Sequence, residues 1–262
     1  MSIQDHILVQ EGEFYAKIVF NRPEVRNAIS VEMWRTLPGV VKAAASKPSV
    51  KVLIFAGAGG KAFASGADIS ELERFASPEG AKAYHRLLEE AFGEIESCPI
   101  PTIAMIDGYA LGGGCELALA CDIRIASDRS TLGIPAARLG SGVDFRTILR
   151  LVSLVGPAQA KELLFTGEAV HTQEAFRIGL VNHIVPPHEL ESFTLQLAER
   201  IARNAPLTIA AMKREIGRIA DLFARAFLEE SASAFVSCFA SEDFREGLQA
   251  FLEKRRPRFT GR

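Results

Sequence analysis

The chain has 262 residues, 48% hydrophobic and 24% charged, with a net charge of -2. That length allows a substantial core and the composition is that of a globular protein. A slightly negative chain has no overall field to attract a phosphate backbone, and no apolar stretch reaches the roughly 18 residues of a membrane span, so neither DNA nor a membrane is an expected partner.

The segment "HILVQEGEFYAKIVFNRP" predicts two strands around the Glu11-Gly12 turn, ended by Pro23. Ser30 to Ser46 predicts a helix with Ser30 as N-cap and a possible kink at Pro38. The apolar run "VKVLIFAG" (50–57) predicts a strand buried on both faces, followed by a glycine-rich loop. A helix is expected over Pro78–Glu96, a second buried strand over 101–108, a helix over Gly113–Ala120 and a third strand over 122–127. The run "LGIPAARLGSGVDF" reads as loop. Beyond it helices are expected at 145–155, 157–165, 172–178 and 187–203, with a strand at 180–185, then helices at 207–219, 222–239 and 242–254. Strands mixed with helices, then helices only, predict an α/β core over 1–195 and a helical region over 196–262. The strand and glycine-loop unit recurs near 50–66 and 101–114, which hints at an internal repeat.

The N-terminus has no basic start followed by an apolar run, so no signal peptide is expected. The cysteines at 98, 115, 121 and 238 form no C-x-x-C pair and no zinc-ligand pattern. Reduced thiols in a cytoplasm, with no metal, are the expectation. "AGAGGKA" fails as a phosphate loop, because Phe55 replaces the first glycine and Ala62 follows the lysine. The dinucleotide fingerprint and the nucleophile elbow are absent, and the five histidines are scattered.

Two loops of one kind remain, "AFASGADI" (62–69) and "YALGGGCEL" (109–117). Each follows a buried strand and leads towards a helix. At a helix start the first N–H groups lack internal partners and stand at the positive end of the dipole. Glycines let a ligand approach such backbone closely, or they serve tight strand–helix packing. Two such loops face to face would offer two N–H donors to one oxygen. Glu116, in the first turn, would project towards the same place, either as an acid–base group or as a carboxylate complementing the dipole.

These segments resemble the crotonase, or enoyl-CoA hydratase/isomerase, superfamily over nearly the whole chain. "FNRPEVRNAIS", "KAFASGADISELE", "GYALGGGCELALACDIRIAS", "GLVNHIVP" and "SEDFREGLQAFLEKRRPRF" carry the resemblance. It implies a spiral of ββα repeats with a C-terminal helical trimerisation region, and a homotrimer or dimer of trimers. It implies an acyl-CoA thioester as substrate, coenzyme A arriving as part of that thioester, and no tightly bound cofactor. The oxyanion hole is implied at the N–H groups of Ser65 and Gly113. Coenzyme A would lie along Ala62, Ala64, Gly66, Ala67, Asp68, Ile69 and Gly112. Phe235, Phe251 and Lys254 match positions where a neighbouring subunit closes over the adenine and 3′-phosphate. Arg26 is a phosphate ligand or a solvated surface arginine.

Glu116 matches the first catalytic glutamate of the hydratases, but the second is missing, since position 136 is alanine. Asp144 stands where several isomerases and the aryl-CoA dehalogenases carry an aspartate. It is a second catalytic carboxylate or the N-cap of the helix it opens. If both acids face the substrate, repulsion and burial should raise one pKa. "AKELLFTGEAVHTQEAFRIGLVNHIV" is especially similar to the methylmalonyl-CoA decarboxylase branch, which has a tyrosine where Val143 stands here. The expected activity is enoyl-CoA hydration or isomerisation in fatty-acid metabolism. Decarboxylation, another acyl-CoA reaction, or a non-catalytic acyl-CoA or RNA binder are the alternatives. Leu72, Phe75, Val143 and Phe145 are expected pocket walls. The apolar residues Phe223, Phe227, Phe235 and Phe239 of the tail are expected to need a neighbouring chain for burial.

Overall fold

The computed structural model describes residues 6–224 and 228–262. Strands β1 (Ile7–Glu11) and β2 (Tyr15–Phe20) pair antiparallel, as the turn at Gly12 predicts. Helix α1 (Val31–Ala45) starts where Ser30 Oγ accepts the Met33 N–H at 3.2 Å, and it runs on through Pro38. Three turns of a spiral follow. The first is β3 (Val52–Gly57), β4 (Ala62–Ala64) and α2 (Pro78–Ser97). The second is β5 (Thr102–Ile106), β6 (Tyr109–Leu111) and α3 (Gly113–Ala120). The third is β7 (Ile123–Ser127), β8 (Thr131–Gly133), a short helix α4 (Ala136–Leu139) and α5 (Phe145–Thr166). The chain continues through β9 (Val170–His171), α6 (Thr172–Arg177), β10 (His183–Val185), α7 (Leu190–Ala202), α8 (Pro206–Ala224), α9 (Leu228–Phe239) and α10 (Glu242–Leu252).

Each turn gives one strand to each of two sheets. The larger has the order β1-β2-β3-β5-β7-β10 and the smaller β4-β6-β8-β9. The long apolar strands β3, β5 and β7 are parallel neighbours in the larger sheet, covered on both faces. The smaller sheet is absent from the sequence reading. Its strands are two or three residues long, too short to show a period, and β4, β6 and β8 lie in or beside segments that read as loop. The predicted loop at 132–145 likewise contains the end of β8 and all of α4. The two helices expected either side of Gly156 are the halves of α5, broken where Gly156 takes φ 77° before Pro157.

Helix α7 lies against β3, β5 and β7, with Leu190 and Ala198 buried on Val52, Ile54, Ile103 and Ile125. The boundary expected at 195/196 therefore falls inside a helix that covers the sheet. The helix expected over 222–239 crosses 225–227, and Phe227 and the side chain of Phe223 lie outside the described residues. Phe235 and Phe239 correct the expectation that the tail cannot bury its aromatics within one chain. Helix α9 folds back on α2, Phe235 stacks on Phe239 at 4.6 Å, and Phe239 meets Phe244 at 4.5 Å. Among the described residues, helix α8 exposes an apolar stripe, Leu207 (85% exposed), Met212, Ile216 (69%) and Ile219, and Phe251, Leu252 and Phe259 are exposed further along the tail.

Candidate active site

The three-glycine turn is shaped by what lies against it. Gly112 takes φ 50° and ψ -127°, a conformation that L side chains avoid, and its N–H donates to Gly133 O at 2.8 Å. A β-carbon on Gly114 would stand 2.2 Å from Ala64 O, so α3 rests directly on β4. Across from it, Gly66 takes φ 102°, and a β-carbon there would stand 2.9 Å from Leu111 O and 3.4 Å from Gly113 N. The two glycine loops are thus in contact.

The donors are not the expected pair. The Ser65 N–H is taken by Arg26 O at 3.1 Å, which corrects its assignment to the oxyanion hole. Two residues on, the bonds Ile29 N to Gly66 O (2.8 Å) and Asp68 N to Ile29 O (3.0 Å) straddle Ala67. The Ala67 N–H donates to no described residue, and its nitrogen lies 3.8 Å from where a Gly113 β-carbon would be. The Gly113 N–H, first in α3, is likewise free of any described acceptor, and both residues are half-buried. Two free amides, one of them at a helix start, can hold one oxygen or anion. The only sequence signal for Ala67 is its place after a glycine; the bridge to Ile29 is made by the fold.

Glu116 follows in the first turn of α3, 8% exposed, with its N–H on Gly112 O. Burial pushes its carboxyl up to about 8, the charge of Asp144 adds to this, and Arg150 opposes it. Asp144 is 3% exposed and is the N-cap of α5, its Oδ1 accepting the Thr147 N–H at 3.0 Å. Its Oδ2 is buried with no partner. The cap uses one oxygen and leaves the other free, so capping does not exclude a second role. Arg150 stands behind the pair, bonded to Glu96 and to Thr147 Oγ1. Position 136 offers only a half-buried methyl at the start of α4.

Ala62 and Ala64 are sealed in β4, paired with β6. Asp68 is bonded to Arg22 (3.0 Å) and Ser70 (2.7 Å), which hold its carboxyl below the usual range although partial burial works against them. Ile69 packs on the core, as do Leu72, Phe75 and Val143. Phe145 is half-buried as the first residue of α5. Arg26 is exposed with its guanidinium over Tyr109 at 5.5 Å. Phe251 and Lys254 are exposed at the end of α10, with no described contact to the glycine loops. Phe235 does not share that position. It is buried in its own chain between His85, Phe239 and Gly142, which corrects its assignment to a neighbour's adenine.

Two neighbours of the site escaped the sequence reading, because each sits on the apolar face of a helix and reads as core. Trp34 of α1 touches Gly113: its Cζ2 would be 3.0 Å from a β-carbon there. Tyr84 of α2 is buried, and burial and then the charge of Glu116 push its hydroxyl up.

The spiral, the paired sheets and the C-terminal helices are those of the crotonase fold. A solved methylmalonyl-CoA decarboxylase, in complex with 2-nitronate-propionyl-CoA, matches with a TM-score of 0.89 and 32% identity, over 98% of this chain and 99% of that one. The enoyl-CoA hydratase/isomerase family model matches residues 11–262, so the chain belongs to that family and is an acyl-CoA enzyme of hydratase/isomerase type. It is 38% identical to a crotonyl-CoA hydratase of Syntrophomonas wolfei, over 97% of this chain and 98% of the relative. It is also 38% identical to a short-chain-enoyl-CoA hydratase of Clostridium acetobutylicum, over 98% and 97%.

Proposed function

We propose that the Ala67 and Gly113 amides hold the thioester oxygen of an enoyl-CoA while Glu116 moves a proton at the adjoining carbons. The observation that carries this is Glu116 itself, a buried carboxyl raised to about 8 beside two unpartnered amides. Charge developing on the thioester oxygen meets preorganised donors, and an acid near neutrality can both give and take a proton. Asp144 Oδ2 is the second carboxylate, supplied from α5 in place of one at 136. The reaction is hydration or double-bond isomerisation. Loss of the conjugated thioester absorbance and solvent-deuterium uptake at the α-carbon test it together. A chain that does neither with any enoyl-CoA contradicts the reading.

Decarboxylation is the second reading, favoured by the 0.89 structural match. The unpaired Asp144 oxygen weighs against it, because a substrate carboxylate would meet a like charge.

Asp144→Asn separates the two roles of that residue. Asparagine caps helices as well as aspartate does, so the melting temperature should change little. Removing the negative charge removes one cause of the upward shift, so Glu116 should titrate below 8 and the alkaline limb of the rate profile should move to lower pH. An unmoved limb would separate Asp144 from Glu116.

Coenzyme A enters as part of the substrate, with Arg26 near its phosphates and Phe251 and Lys254 of a neighbouring subunit over the adenine. The core with the site and the helical tail divide the work, the tail serving assembly. The apolar stripe Leu207, Met212, Ile216 and Ile219 supports burial between subunits, as a trimer or dimer of trimers. Sedimentation should give a multiple of three chain masses, and a monomer would contradict it.

A further inference from the structure

Among the described residues two buried side-chain polar atoms lack a partner, Asp144 Oδ2 and Trp34 Nε1. The first belongs to the carboxylate pair. The second has no place in the proton transfer, although a buried donor without an acceptor is disfavoured enough that native chains rarely keep one. Its surroundings show what it faces. Cζ2 of Trp34 packs on Gly113, and Nε1 is attached to the same ring carbon as Cζ2, so the indole N–H lies on the ring edge nearest that glycine. The Tyr84 hydroxyl is within reach of Trp34 and the two interact, but the contact falls short of a well-formed hydrogen bond and leaves Nε1 without a full acceptor. Tyr84 also feels the charge of Glu116.

Both rings are held firmly. Trp34 is fully buried and meets Phe92 edge-on at 5.3 Å, and Tyr84 stacks on Phe75 at 4.8 Å and leans on Phe239 at 5.6 Å. Rigid aromatic bodies with polar tips beside the site form a donor pair built in advance of its acceptor.

We propose that the Trp34 N–H and the Tyr84 O–H are specificity-determining donors for an uncharged oxygen on the acyl chain, a hydroxyl or carbonyl beyond the reacting double bond. The inference rests on the enoyl-CoA reading and narrows its substrate class. An uncharged oxygen is required because both rings are buried and offer only neutral donors, so a carboxylate there would be taken out of water for two neutral hydrogen bonds. A plain alkyl chain would leave both donors unpaired, and sites built to bond a substrate oxygen discriminate strongly against analogues that lack it.

The test compares an α,β-unsaturated acyl-CoA with its counterpart carrying one hydroxyl further along the chain. The full-length chain should favour the hydroxylated substrate by about tenfold or more in kcat/KM. Tyr84→Phe keeps the ring and its stacking, and should lower that ratio about tenfold; Trp34→Phe should lower it in the same direction. Calorimetric binding of the saturated hydroxylated and plain acyl-CoAs should show the same preference without turnover. A structural role alone would slow both substrates equally and leave the ratio where it was, which would overturn the proposal. So would wild type without a preference. Turnover of both substrates at equal rates sinks this inference alone, whereas neither binding nor turnover of either sinks the enoyl-CoA reading with it.

Discussion

Glu116→Gln is expected to lower kcat on an enoyl-CoA by about 10²- to 10⁴-fold, the range for losing a positioned acid–base group. KM should change no more than about threefold, because the amides and the coenzyme A surface are untouched. The same variant should change stability with a definite sign. In the unfolded chain the carboxyl titrates near its ordinary 4.5, and in the folded chain near 8. Between those values the folded state holds a proton that the unfolded state has released, so wild-type stability falls as pH rises through the window and levels above it. Glutamine does not titrate. At pH 5 the variant and wild type should melt alike, and at pH 9 the variant should melt higher. Equal melting at pH 9 would mean that Glu116 is not raised, and an unaffected kcat would remove it from the reaction.

Gly114→Ala should have the next largest effect. Alanine is favoured over glycine within a helix by about 1 kcal/mol. Here that gain is outweighed, because the new β-carbon would stand 2.2 Å from Ala64 O and 2.8 Å from Ala64 C. Those are backbone atoms of β4, held in the smaller sheet by the pairing of Ala64 with Ala110, so they cannot turn aside as a flexible side chain would. Overpacking of this kind costs about 1–3 kcal/mol or more. Relief requires α3 to lift from β4, which draws Gly113 away from Ala67. Loss of one oxyanion donor lowers the rate about 10²- to 10³-fold, and that loss in kcat should accompany the fall in stability. Gly93→Ala is the control. It lies within α2 with nothing within 4 Å of its β-carbon, and should stabilise the chain by about 0.5–1 kcal/mol. A stable, active Gly114→Ala variant would show that α3 does not depend on this close approach.

Much of the site is legible locally. The glycine triplet marks the start of α3, Ser30 and Asp144 are caps by residue type, and the alanine at 136 is a plain absence. What escaped has a common cause. Ser65 and Ala67 are equally good donors in sequence, and the choice depends on Arg26 and Ile29, which lie some forty residues earlier in the chain and accept or bridge across it. Trp34 and Tyr84 lie on apolar helix faces, where a core aromatic and a site aromatic have the same spacing. Phe235 shows the reverse error, since a matching position in the tail was buried by α2 rather than left for a neighbour.

The sequence alone determined those features that arise between residues close in the chain: the turns, the caps, the buried strands, and the carboxylate inventory with its gap at 136. The tertiary structure decided the short strands of the smaller sheet, which amides stay free, and that Glu116 titrates near 8. Pairing, free donors and desolvation are set by groups that meet only when α1, α2, α3 and α5 pack together. A charge felt through a low-dielectric interior depends on where Asp144 and Arg150 stand in space rather than on how far along the chain they are.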